Sequence, residues 1–177
     1  MLATETKPLF EGNNSTVYFQ ERSAYETPVV IKVARDDHAS PAQIAAFDNE
    51  YAITRDLNLK AIRRVYDKIE FEGRKALVME YIPGKTIKEH FRGKKITLKE
   101  FLPLAIKICD ALGEIHQVKI IHKDIDSKNI LITEEGDIKI IDFGLSTRLS
   151  VKSHNLGNQN IFAVDVLVDN FHLMNFS

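Results

Sequence analysis

An α+β fold is what this 177-residue sequence predicts: an antiparallel sheet with one helix, then a second, mainly helical part. Three observations predict it. Short apolar runs punctuated by turn residues fill the chain up to Tyr81. Apolar residues then recur at steps of three and four from Phe101 to Ile115, the period of a helix with one buried face. A further hairpin pattern closes the region, Ile130-Leu131-Ile132 against Ile138-Lys139-Ile140-Ile141 around Glu134-Glu135-Gly136-Asp137.

The elements follow in order. Leu9-Phe10 and Thr16–Gln20 flank a polar, glycine-containing tip, Glu11–Ser15, and read as a hairpin. Val29–Ala34 is a buried-strand run interrupted by Lys32. Ser40-Pro41-Ala42-Gln43 has a capping-box pattern with proline at the first helical position, so a helix starts there. Ile44, Phe47, Glu50 and Leu57 share its inward face. Val65–Phe71 and Lys75–Tyr81 form a second hairpin around Glu72-Gly73-Arg74. Thr97 and Glu100 can cap the long helix, but Pro103 inside it suggests a later start. Cys109 falls on its apolar side and is expected in the core, and His116 is expected to be structural.

Composition narrows the function classes. Hydrophobic residues make up 44% and charged residues 28%, and the net charge is -1, so a chain built to coat nucleic acid or anionic membrane is not expected. Arg92-Gly93-Lys94-Lys95 reads as a solvated turn. A single cysteine excludes an internal disulfide and a multi-cysteine metal site. No apolar run approaches the roughly 18 residues of a membrane span, and Met1–Lys7 lacks a secretory apolar stretch. A soluble, cytoplasmic protein is the expectation.

The chemistry concentrates in His122-Lys123-Asp124-Ile125-Asp126-Ser127-Lys128-Asn129, followed after the hairpin by Asp142-Phe143-Gly144. A lone His-x-Asp would be an ordinary polar loop. Here His122, Asp124, Asn129 and the Asp-Phe-Gly triplet stand at fixed offsets, and residues from about Leu9 to Arg148 resemble a serine/threonine protein kinase domain. Asn49–Leu57 is most similar to the kinase domains heading large bacterial multidomain sensor proteins. The resemblance implies a kinase-like fold, with an antiparallel small-lobe sheet plus helix and a partial large lobe. It implies ATP and Mg²⁺ as cofactors and transfer of the γ-phosphoryl group to a protein hydroxyl. Asp124 would orient and accept the hydroxyl proton, and Asn129 and Asp142 would hold magnesium through oxygen.

Lys32 supports the resemblance separately, because an ammonium inside an apolar strand needs a counter-charge. Glu50, on the inward face of the next helix, fits that need. In the family such a lysine holds the α- and β-phosphates. The glycine-rich loop is degenerate: the family's three glycines fall on Phe10, Gly12 and Ser15, ahead of Val17. Two are missing, which should stiffen the loop and weaken phosphate cradling. Leu77–Gly84 resembles the family hinge. That implies Met79 at the adenine pocket, the backbone of Glu80 and Ile82 against the base, and Val17, Val30 and Leu131 around it.

Two departures stand out. Serine/threonine kinases usually carry lysine two residues after the catalytic aspartate, and here that residue is Asp126. The last 27 residues carry only three charged side chains, Lys152, Asp165 and Asp169, and no Ala-Pro-Glu closes an activation segment. The expectation is an incomplete kinase domain over 1–150 with an unrelated or disordered tail over 151–177. It is that of a fragment made by a frameshift, premature stop or misplaced boundary, poorly soluble and weakly active. Two alternatives stay open: a non-catalytic, nucleotide-binding kinase-like module, and a small-molecule kinase of the same superfamily, which the Asp-Phe-Gly triplet disfavours.

Overall fold

The computed structural model describes residues 8–21, 24–35 and 40–149. The tail expected over 151–177 lies outside the described residues. Two compact units emerge. The first holds the described residues up to Asn58 together with Arg63–Ile82 and Phe143–Leu145. The second holds Leu59–Ile62, Pro83–Asp142 and the described residues from Ser146.

The first unit is a five-stranded antiparallel sheet with one long helix. Its strands are β1 (Pro8–Glu11), β2 (Ser15–Gln20), β3 (Val29–Ala34), β4 (Val65–Phe71) and β5 (Arg74–Glu80), in the order β1-β2-β3-β5-β4. β3 is central and, apart from Lys32, reads as an apolar run because both of its faces are covered. Val30 and Ala34 pack with Phe47, Val65, Leu77 and Met79 on one side, and Ile31 and Val33 pack with Phe71 and Ala76 on the other. The β4–β5 turn is two residues, Glu72 and Gly73, both at positive φ (50° and 77°). That is the backbone of a type I′ hairpin, whose twist matches the strands it joins. Helix α1 (Pro41–Thr54) begins as its sequence signals: Ser40 accepts from the Gln43 N–H, and the Gln43 side chain accepts from the Ser40 N–H. It ends before Leu57, which therefore does not belong to its inward face. Phe47, Glu50, Ile53 and Thr54 are its buried residues.

The second unit contains helices α2 (Ile87–His90) and α3 (Leu98–Gln117). A three-stranded sheet has the order β6 (Gly84–Thr86), β8 (Ile130–Thr133), β9 (Ile138–Ile140), and β7 (Ile120–Ile121) pairs with β10 (Thr147–Arg148). Two sequence expectations fail on α3. The helix starts at Leu98, not later, because the Thr97–Glu100 capping box holds its first turn, and Pro103 interrupts only locally. Cys109 is exposed, not core. The buried stripe narrows to Ile108, Ala111, Leu112 and Ile115, and Cys109 sits one position off it. Partial desolvation by the helix around it and the neighbouring Asp110 carboxylate push its thiol upward, which favours the unreactive protonated form. His116 is half-buried, and desolvation pulls its pKa down.

Candidate active site

In the first unit, Lys32 meets Glu50. The ammonium donates to Glu50 Oε2 at 2.7 Å, with side-chain exposures of 13% and 2%. The apolar surround of β3 and α1 is what makes the pairing obligatory, and Lys32 Nζ also lies 5.5 Å from the centre of the Phe47 ring. Val17 stands directly across the β2–β3 ladder from Lys32, and Val30 stands across the β3–β5 ladder from Met79. Val17, Val30 and Met79 thus belong to one apolar cluster on the Lys32 side of the sheet. At the end of β5, the Glu80 N–H donates to the Arg64 carbonyl and its carboxylate accepts from the Arg64 N–H. Ile82, just beyond β5, is buried.

The glycine-poor tip is held by its neighbours. The Gly12 N–H donates to the Ser15 carbonyl at 2.9 Å, and the Gly12 carbonyl accepts from the Arg35 guanidinium at 2.7 Å. Asn14 accepts from the Gln43 side chain and, through its carbonyl, from the Arg35 N–H. Arg35 and Gln43 thus tie down the tip, a role that sequence reading gave to neither. Asn49, beside Glu50, also escaped notice. Its Nδ2 donates to the carbonyls of Phe143 and Gly144, at 3.3 and 3.0 Å.

In the second unit, the loop after β7 is organised around His122, which is 2% exposed. Its Nε2 lies 3.1 Å from the Ile141 carbonyl, and the Asp124 N–H points at its Nδ1 from 3.2 Å. A carbonyl can only accept and an N–H can only donate, so the ring is the neutral Nε2–H tautomer. Burial lowers its pKa, against the pull of the Ile141 bond and the Asp142 and Asp124 carboxylates. The Ser146 hydroxyl donates to the His122 carbonyl.

Asn129 then locks onto Asp124. Its Nδ2 donates to the Asp124 carbonyl and to Oδ2, both at 2.9 Å. That engages the amide nitrogen and leaves Oδ1 as the amide's acceptor. The Asn129 carbonyl accepts from the Ile141 N–H, so the β8–β9 hairpin sets Asn129 opposite the residue before Asp142. Asp142 and Lys123 both have positive φ (66° and 67°), an uncommon backbone for side-chain-bearing residues and one that clusters in functional loops. Leu131 is buried on β8, across from Lys139 and Thr86, in the second unit.

Among the described residues, no group of three His, Cys, Asp or Glu side chains is placed to hold a metal unaided. Magnesium does not require such a group. It takes one or two protein oxygens and completes its shell with phosphate and water.

This chain matches the protein kinase domain family over residues 4–170, and it belongs to that family. It is 36% identical over 141 residues to the serine/threonine-protein kinase PrkC of Bacillus subtilis, covering 78% of this chain and 22% of that protein. A probable serine/threonine-protein kinase of Streptomyces coelicolor is 33% identical, with 78% and 21% covered. The calmodulin-binding receptor-like cytoplasmic kinase 1 of Arabidopsis thaliana is 32% identical, with 79% and 31% covered. The chain thus spans between about a fifth and a third of the length of these relatives. The family generally uses ATP and Mg²⁺. No helix among the described residues is long and apolar enough to cross a membrane.

Proposed function

We propose that this chain binds Mg·ATP and catalyses transfer of its γ-phosphoryl group to a protein serine or threonine hydroxyl. The observation that carries the proposal is the pair of hydrogen bonds that the Asn129 amide nitrogen donates to Asp124, which fixes the Asp124 carboxylate and leaves the Asn129 oxygen as a metal donor. Lys32, held by Glu50, would bind the α- and β-phosphates as a point charge. Val17, Val30 and Met79, with Leu131, would contact the base, and Glu80 and Ile82 would bond it through their backbone. Gly12 and Ser15 would cover the phosphates, though less fully than a three-glycine loop, since the Gly12 N–H is already engaged. Magnesium, when bound, would neutralise phosphate oxygens, and Asn129 and Asp142 would hold it. Asp124 would align the acceptor hydroxyl and take its proton. The domain proper would cover 1–150.

Calorimetric titration with Mg·ATP and radiolabel transfer to a generic basic protein test both halves. Binding should weaken at least about tenfold in Lys32→Ala and in Asp142→Ala, the scale of losing one charge-assisted contact. Transfer should fall by about 10²-fold or more in Asp124→Asn, the low end of a general-base contribution. Equal binding in all three proteins would reject the nucleotide site. Clear binding without transfer to any acceptor would favour the non-catalytic module.

A further inference from the structure

We propose that Asp126 is a positioning residue that shapes the turn returning the Asn129 side chain to Asp124; this rests on the kinase reading of that loop. Asp126 Oδ1 accepts from the Lys128 N–H at 2.9 Å and from the Ser127 hydroxyl at 3.2 Å. Its carbonyl accepts from the Asn129 N–H at 2.8 Å. A side-chain oxygen bonded to the N–H two residues on, and a carbonyl bonded to the N–H three residues on, make an Asx-turn nested in a β-turn.

The chain therefore reverses at Ser127-Lys128, and Asn129 arrives facing back along the loop. From there its amide nitrogen reaches both the carbonyl and the carboxylate of Asp124. The Ser127 carbonyl accepts from the Lys88 N–H at 3.0 Å, so the corner is pinned to the start of α2. Asp126 closes the loop from inside while Lys88 holds it from outside.

Asp126 thus acts through an acceptor oxygen directed into its own loop, not through its charge. Asparagine offers the same oxygen, alanine offers none, and lysine offers only donors. This ordering separates the proposal from one in which charge at 126 matters.

The test uses the full chain, with amide hydrogen exchange at Lys128 and Asn129 and calorimetric titration of ATP with and without Mg²⁺. Asp126→Asn should keep slow exchange and Mg·ATP affinity close to that of the original protein. Asp126→Ala and Asp126→Lys should each speed exchange at both amides and weaken Mg·ATP binding by about tenfold, the worth of one such bond. Magnesium-free ATP affinity should not change. Asp126→Ser, with a weaker acceptor, should fall between and replaces the alanine variant if that does not fold.

An alanine variant identical to the original in both readouts would overturn the proposal. So would an asparagine variant as impaired as alanine, or a lysine variant that binds Mg·ATP more tightly. An original protein with a protected turn but no Mg·ATP binding would instead reject the kinase reading and the role built on it. The exchange data keep the two failures apart, because they still rank the variants without nucleotide.

Discussion

Lys32 and Glu50 depend on each other because neither is hydrated enough to stand alone. Glu50→Ala removes the carboxylate that the Lys32 ammonium meets at 2.7 Å, and the expected loss of unfolding free energy is about 3 kcal/mol, the lower end for a broken buried pair. Replacing both residues by apolar ones of similar size, Lys32→Met with Glu50→Leu, should recover much of that loss while abolishing nucleotide binding. Urea denaturation of the two single variants and the double variant measures the coupling. A double variant as unstable as the sum of the singles would show that the pair does not act as a unit. At this scale the sequence was informative: a lysine in an apolar strand required an acid, and the helix period selected Glu50. Asn49, one residue earlier, carried no such signal. An asparagine is at home on any helix surface, and its acceptors, the carbonyls of Phe143 and Gly144, lie far along the chain.

Among the elements, the β6–β8 pairing is intolerant of even one added carbon. A Cβ at Gly84 would stand 2.3 Å from the Ile132 carbonyl oxygen, a backbone atom that cannot swing aside. Gly84→Ala should therefore force β6 away from β8 and cost about 1–3 kcal/mol, the usual range for overpacking. Chemical denaturation checks this, and a variant as stable as the original would contradict the close approach. The Asp48 network makes a useful contrast. Asp48 accepts from Lys68 and Lys75, whose bonds hold its carboxyl below the usual range, yet all three side chains are about 40% exposed. Solvent screening makes such pairs worth little. Asp48→Asn should change stability far less than Gly84→Ala, and 1 M salt should erase most of the difference. The Pro83-Gly84 turn was legible in the sequence, but the contact that makes glycine necessary was not, because Ile132 is distant in the chain.

For the whole molecule, stability should fall on mild acidification. His122 and His116 both have pKa values lowered by burial, so below about pH 6.5 the unfolded chain binds more protons than the folded one. Their contribution is present above pH 6.5 and is lost as pH falls through the lowered folded values. Urea midpoints between pH 7.5 and 5.0 should decline. His116→Gln should retain the part due to His122, whose protonation would also remove the acceptor for the Asp124 N–H. A flat profile would mean that neither ring is held neutral. The sequence by itself determined the three hairpins, the central strand β3, the α1 capping box, the apolar stripe of α3 and the residue types of the His122–Asn129 and Asp142–Gly144 loops. Those depend on local period, turn chemistry and fixed spacing, all of which act within a few residues. Tertiary structure alone decided that Cys109 is exposed, that Arg35 and Gln43 tie down the hairpin tip, and that Asn49 bonds the Phe143 and Gly144 carbonyls. Each of these depends on which distant or neighbouring groups are left to satisfy a polar atom or cover an apolar one, and only the folded chain settles that competition.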